Sequence, residues 1–123
     1  MAYQVSADEF ESIAAEALDS IPPELRARMD ADNLLITIQP DATDDDRGHG
    51  IGEHVLGYFQ GATESTFSAT GYPKRIVLLQ HHIERWSRTR AELVDQVHDT
   101  LLHEVAHYFG MDHGDIDQTR LHH

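Results

Sequence analysis

The eleven residues from His103 to His113 read H-E-x-x-H-x-x-G-x-x-H, and that spacing leaves the segment little freedom in how it folds. Residues four apart on an α-helix lie one above the other on the same face, so His103 and His107 can share a metal ion if the chain is helical there. Glu104 then sits about 100° round the helix, close enough to reach a water on that ion without ligating the ion itself. Gly110, three residues after His107, can take the left-handed conformation that ends a helix at little steric cost, after which the chain can fold back and present His113. The short form H-E-x-x-H would arise by chance in about 6% of shuffled sequences of this composition, whereas the full run would arise in about 3 of 10,000.

Three imidazoles, from His103, His107 and His113, would leave the fourth position of a tetrahedral zinc ion open for water, as expected of a catalytic rather than a closed structural site. One Zn²⁺ per chain is therefore expected. A water on such an ion has its pKa lowered toward neutrality, and Glu104 is the candidate general base toward it. The chain has no cysteine, which removes thiolate catalysis, zinc ribbons and disulfides together and fits a reducing compartment. The segment from Met1 to Ile21 is acidic and amphipathic, unlike a signal or transit peptide. No stretch approaches the roughly 20 apolar residues of a membrane span. A cytoplasmic protein with no membrane partner is expected. The formal charge of −13 opposes binding to phosphate backbones, so no nucleic-acid partner is expected either.

At 123 residues the chain is read as one domain, 1–123, able to bury roughly two thirds of its unfolded surface but too short for two cores. Ser6-Ala7-Asp8-Glu9 has the form of a capping box, and Phe10, Ile13, Ala14, Ala17 and Leu18 recur at helical spacing, predicting a helix over about 7–19. Ile21-Pro22-Pro23 stops it, and Glu24 to Met29 suits a short second helix. Leu34, Ile36 and Ile38 alternate with Leu35, Thr37 and Gln39 as in a half-buried strand. The aspartate- and glycine-rich segment Asp41 to Gly52 reads as a solvated loop whose spacing misses the calcium-loop pattern. His54 to Gln60 reads as a short strand weakened by Gly57, Gly61 to Pro73 as a long connection, and Arg75 to Ile83 as a central strand. A second capping box, Thr89-Arg90-Ala91-Glu92, opens a helix predicted to run to Gly110 and to carry the metal histidines. The fold class is α+β, with a small mixed or antiparallel sheet and the first and last helices packed on one face.

His103-Glu104-x-x-His107-x-x-Gly110-x-x-His113 resembles the zincin metallopeptidases, and its long form resembles the metzincins. Metzincins carry a methionine turn downstream of the third ligand, and here the ten residues after His113 hold no methionine. Together with the amino-terminal helix, Leu56-Gly57-Tyr58-Phe59-Gln60-Gly61 and Pro73-Lys74-Arg75-Ile76-Val77-Leu78, the chain resembles the small bacterial zincin-like metallopeptidases, or minizincins. The resemblance covers nearly the whole chain, though only the metal motif is individually specific. It implies a minimal zincin-like domain with a carboxy-terminal active-site helix, a zinc cofactor and a peptide or protein substrate.

Two other function classes share some of these features. A family of single-domain ribosomal-RNA endonucleases has H-G-x-x-H-x-x-G-x-D-H, the same ligand spacing and the same Asp before the last histidine, but glycine where this chain has Glu104. A non-catalytic metal-binding or interaction domain is the third reading. Among the remaining residues, Asp99 stands one turn before His103 and is a candidate acceptor for its other ring nitrogen. His54 and Tyr58 are candidate donors to a tetrahedral oxyanion. Trp86, with Leu79 and Ile83, is expected in the core.

Overall fold

A computed structural model describes residues 2–60 and 74–110. Helix α1 (Ala7–Asp19) begins where the sequence places it, with the Ser6 side chain accepting from the Glu9 N–H at 3.1 Å. It buries Phe10, Ile13, Ala14 and Ala17, the stripe its 3.6-residue periodicity requires. Helix α2 (Pro23–Ala31) has proline in its first turn, where a missing N–H costs nothing. Strand β1 (Leu35–Gln39) follows, after Asn33 takes a φ of 56° to turn the chain.

The segment expected to be a plain loop contains a short helix, α3 (Asp44–Gly48). Its capping box is reciprocal: the Thr43 hydroxyl accepts from the Asp46 N–H at 3.0 Å, and the Asp46 carboxylate accepts from the Thr43 N–H at 2.9 Å. An aspartate at the third helical position does here what glutamate usually does, and that is why the pattern read as solvated loop. Strand β2 (Gly57–Gln60) begins three residues later than expected. Strand β3 (Arg75–Leu79) also stops short, because Gln80–Arg85 forms helix α4. The apolar run that suggested one strand to Ile83 therefore crosses a strand–helix junction. A continuous run of this kind does not separate a buried strand from a buried helix. Helix α5 (Arg90–Tyr108) is capped by Thr89, which accepts from the Glu92 N–H at 3.1 Å.

The sheet is mixed, in the order β1-β3-β2, with β1 parallel and β2 antiparallel to β3. Alternation assigns its two faces. Ile36, Ile38, Phe59, Ile76 and Leu78 join the main core with α1 and α5, whereas Tyr58, Val77 and Leu79 meet Ala42 and Ile51 on the other side. Helix α5 packs on β2 and β3, and α1 packs on α5. The approach is tight at Gly57, where an added Cβ would lie 2.9 Å from Thr100 Cγ2 and 2.9 Å from the Val77 carbonyl oxygen. The glycine that looked like a weakness in β2 is what lets the motif-bearing helix sit down on the strand. Trp86 is not in the core: it follows α4 and is 59% exposed, while its proposed neighbours Leu79 and Ile83 are fully buried. Among the described residues no helix is long and apolar enough to cross a membrane.

Candidate metal centre

Helix α5 carries His103, Glu104 and His107 in its last turns, held from below by Leu101, Leu102, Val105 and Ala106 in the core. The helix ends where the glycine spacing required. Phe109 caps it, and Gly110 takes a φ of 75° with its N–H bonded to the His107 carbonyl at 3.0 Å. Helical structure thus stops two residues before the Gly110 boundary that the apolar stripe suggested. The carboxy-terminal end is tied to the α2–β1 region by aromatic contacts. Tyr108 donates to the Asp32 carboxylate at 2.8 Å and packs on Phe59 at a ring separation of 5.3 Å, while the Arg28 guanidinium lies 4.1 Å above the Phe109 ring. Burial raises the Tyr108 pKa above that of an ordinary phenol, and the bond to Asp32 acts in the same direction.

The two described motif imidazoles are 6.4 Å apart between ring centroids and nearly perpendicular, at 81°. With Zn–N bonds of about 2.0–2.1 Å, two rings on one ion stand about 5–6 Å apart, within a side-chain rotation of this spacing. His103 Nδ1 lies 2.7 Å from the Asp99 main-chain oxygen. A carbonyl only accepts, so the ring proton is on Nδ1 and the lone pair is on Nε2, the ligand-competent tautomer. The Asp99 side chain was a candidate partner; the structure uses the same residue's backbone. That is the geometry of any i−4 carbonyl on a helix, so no special residue type was needed to signal it. Glu104 is partly buried. Burial pushes its carboxyl above the usual carboxylate range, offset in part by the neighbouring His103.

The model of the zincin-like metallopeptidase family matches residues 31–122. The chain belongs to that family. No curated protein matches it. Family membership makes it a metallopeptidase domain at the family level and implies zinc. The two described histidines fit that metal: nitrogen donors one helical turn apart, one already held in the ligating tautomer. Among the described residues no group of three ligating side chains is assembled. His113, the expected third ligand of this zincin-like domain, lies outside the described residues, as does Asp112.

Tyr58, one of the two candidate oxyanion donors, does not converge on this end of α5. Tyr58 is on the opposite face of the sheet, where its hydroxyl donates to Asp46 at 3.0 Å. Burial and that bond together push the phenol up to about 12. A strand presents successive side chains to opposite faces, so Phe59 faces the zincin-like site's helix and Tyr58 must face away. His54 is exposed in a turn, with its ring folded against Gly52. Two further histidines serve the fold. His82 is fully buried, donating through Nδ1 to the Val55 carbonyl at 2.8 Å. His81 Nδ1 stands 2.8 Å from the Asp41 carboxylate. That bond, with Arg85 adding to it, lowers the Asp41 pKa.

Proposed function

We propose that the protein is a zinc-dependent peptidase in which His103, His107 and His113 hold one zinc ion per chain and Glu104 is the general base. The observation that supports this reading is the bond from His103 Nδ1 to the Asp99 carbonyl at 2.7 Å, which suits ligation of a metal through Nε2 one turn before His107. A bound zinc ion supplies Lewis acidity, bringing the pKa of a water toward neutrality and polarising the carbonyl of a scissile amide. Glu104 accepts a proton from the attacking water on a carboxylate oxygen and then delivers it to the departing amine nitrogen. One proton is taken and one is returned, so the carboxylate is regenerated with each turnover.

Strand β2 is at one edge of the described sheet, beside the helix that carries Glu104. It suits an extended peptide bound by strand addition, with main-chain hydrogen bonds providing affinity independent of sequence. A domain this small has little wall to spare for a deep pocket, which favours short peptides or exposed protein segments as substrates. A chain without cysteine suits a reducing, cytoplasmic setting.

The test is the metal content of protein prepared without a nickel column, followed by cleavage of a mixed peptide library by wild type and Glu104→Gln. We expect one zinc per chain in both and cleavage lowered at least about 10²-fold in the variant. Undiminished cleavage by Glu104→Gln removes that residue from the mechanism. Stoichiometric zinc with no cleavage by wild type moves the assignment to a binding domain or to RNA hydrolysis.

A further inference from the structure

His107 and Tyr108 are the last two residues of α5. The final carbonyls of a helix lack intrahelical partners, and terminal turns open at little cost in free energy. A ligand on such a turn binds a metal only as well as the turn is already formed, because apparent affinity scales with the fraction of chains in the binding conformation. His103 is one turn further in, and its ring is held by the Asp99 carbonyl at 2.7 Å. His107 is carried by the terminal turn itself, so its placement follows that of the turn. The hold on that turn converges on one side chain. Tyr108 stands four residues after Glu104, on the same helical face, and its hydroxyl donates to the Asp32 carboxylate at 2.8 Å. Its ring packs on Phe59 of β2 at 5.3 Å, and the Lys74 ammonium lies 5.6 Å from the ring centroid. Asp32 is itself fixed. It caps α2 with its N–H bonded to the Arg28 carbonyl at 3.0 Å, and Asn33, at a φ of 56°, lets the Leu34 N–H reach the Met29 carbonyl at 2.9 Å. Met29 and Leu34 are buried in the main core, so the acceptor of the phenol is on a rigid frame.

We propose that Tyr108 is a positioning residue for the metal centre: its hydrogen bond to Asp32 keeps the terminal turn of α5 formed, so that His107 is in place before zinc arrives. The inference rests on the reading of His107 as a zinc ligand and on nothing about hydrolysis. Residue 108 is one of the unspecified positions of H-E-x-x-H-x-x-G-x-x-H, so the motif does not itself call for a tyrosine there. The bond has a charged acceptor, the stronger class of hydrogen bond, and its loss shifts the equilibrium between formed and open turn by about tenfold or more. The backbone bonds that continue the helix are its natural reporters: Phe109 N–H to the Val105 carbonyl at 3.2 Å and Gly110 N–H to the His107 carbonyl at 3.0 Å. Both break when the turn opens.

The experiment compares the zinc-loaded full chain with Tyr108→Phe, Asp32→Ala and Asp32→Asn, the last of which keeps an acceptor for the phenol. Zinc affinity is read by competition with a chelator, and opening of the turn by hydrogen exchange at the Phe109 and Gly110 amides. We expect exchange at both amides about tenfold faster in Tyr108→Phe and Asp32→Ala. Zinc affinity should fall about threefold or more in the same two variants, the effect of a turn open in about two thirds of the chains before zinc arrives. Asp32→Asn should lie between wild type and Asp32→Ala in both readouts. Unchanged zinc affinity in Tyr108→Phe overturns the proposal and leaves the bond a tie that only stabilises the fold. Unchanged exchange at the two amides, or Asp32→Asn no better than Asp32→Ala, overturns it as well. Zinc held by wild type without peptide cleavage overturns the peptidase reading and leaves the positioning role standing, whereas a wild type that holds no zinc overturns both.

Discussion

Asp46, on one side of the sheet, and Glu104, on the helix that packs against the other side, are both drawn out of water, and their acidities move in opposite directions. Burial raises both. At Asp46 that rise is overcome by hydrogen bonds from the Thr43 N–H, the Gln39 amide at 3.0 Å and the Tyr58 hydroxyl at 3.0 Å, which bring the carboxyl down to about 2. At Glu104 burial prevails over the opposing influence of the neighbouring His103. A carboxylate whose lone pairs are filled by the fold is a structural part, locked in one protonation state. A carboxylate left short of donors beside two imidazoles keeps its proton affinity and its freedom to exchange a proton. The same residue class thus stabilises the molecule at one place and is available for chemistry at the other.

The comparison breaks most decisively at the metal. His113→Ala should weaken zinc binding by more than the 10–100-fold, approximately, that loss of a hydrogen bond to a ligand costs, as measured by competition with a chelator. Unchanged affinity would show that the third ligand comes from elsewhere, with Asp112 or Asp115 nearest in sequence. Next in size is Asp46→Ala, which removes a helix cap and strands the Tyr58 hydroxyl and the Gln39 amide. Denaturant unfolding should show a loss of about 2–3 kcal/mol with zinc affinity unaltered. Because the Asp46 carboxyl titrates lower in the folded chain than in the unfolded one, its contribution is complete above about pH 4. It should disappear as pH falls toward 2, amounting to about 2 kcal/mol, and the Asp46→Asn variant should lack that portion of the acid transition.

Tyr58→Phe sharpens the contrast further. It should cost about 1 kcal/mol of stability and leave peptide turnover as it was, since the hydroxyl serves Asp46 and not the metal site. Reduced turnover at full stability would return Tyr58 to the reaction. The smallest effect belongs to Trp86→Ala, within about 0.5 kcal/mol by thermal unfolding, because the ring is mostly in water.

The legible parts of this protein were those written in local periodicity. Both capped helices, Ser6 to Asp19 and Thr89 to Tyr108, announce themselves by a hydroxyl, a glutamate three residues on and an apolar stripe. Gly110 marked the end of the motif helix because few other residues take a positive φ cheaply. Helix α4 hid inside an apolar run, since total burial erases the difference between a two-residue and a 3.6-residue period. Tyr58 was misplaced because proximity along the chain to a candidate cleft does not say which face of a strand a side chain takes.

What the sequence by itself determined is the spacing of His103, Glu104 and His107 on one helix and the conformation that ends it, because both follow from the geometry of a single turn. The tertiary structure alone decided which face of β2 meets the helix through Gly57, and that Asp46 is silenced while Glu104 is not. Those outcomes depend on donors and walls contributed by elements far apart in the chain, and a carboxylate's acidity is fixed by whatever the fold brings within hydrogen-bonding distance of it.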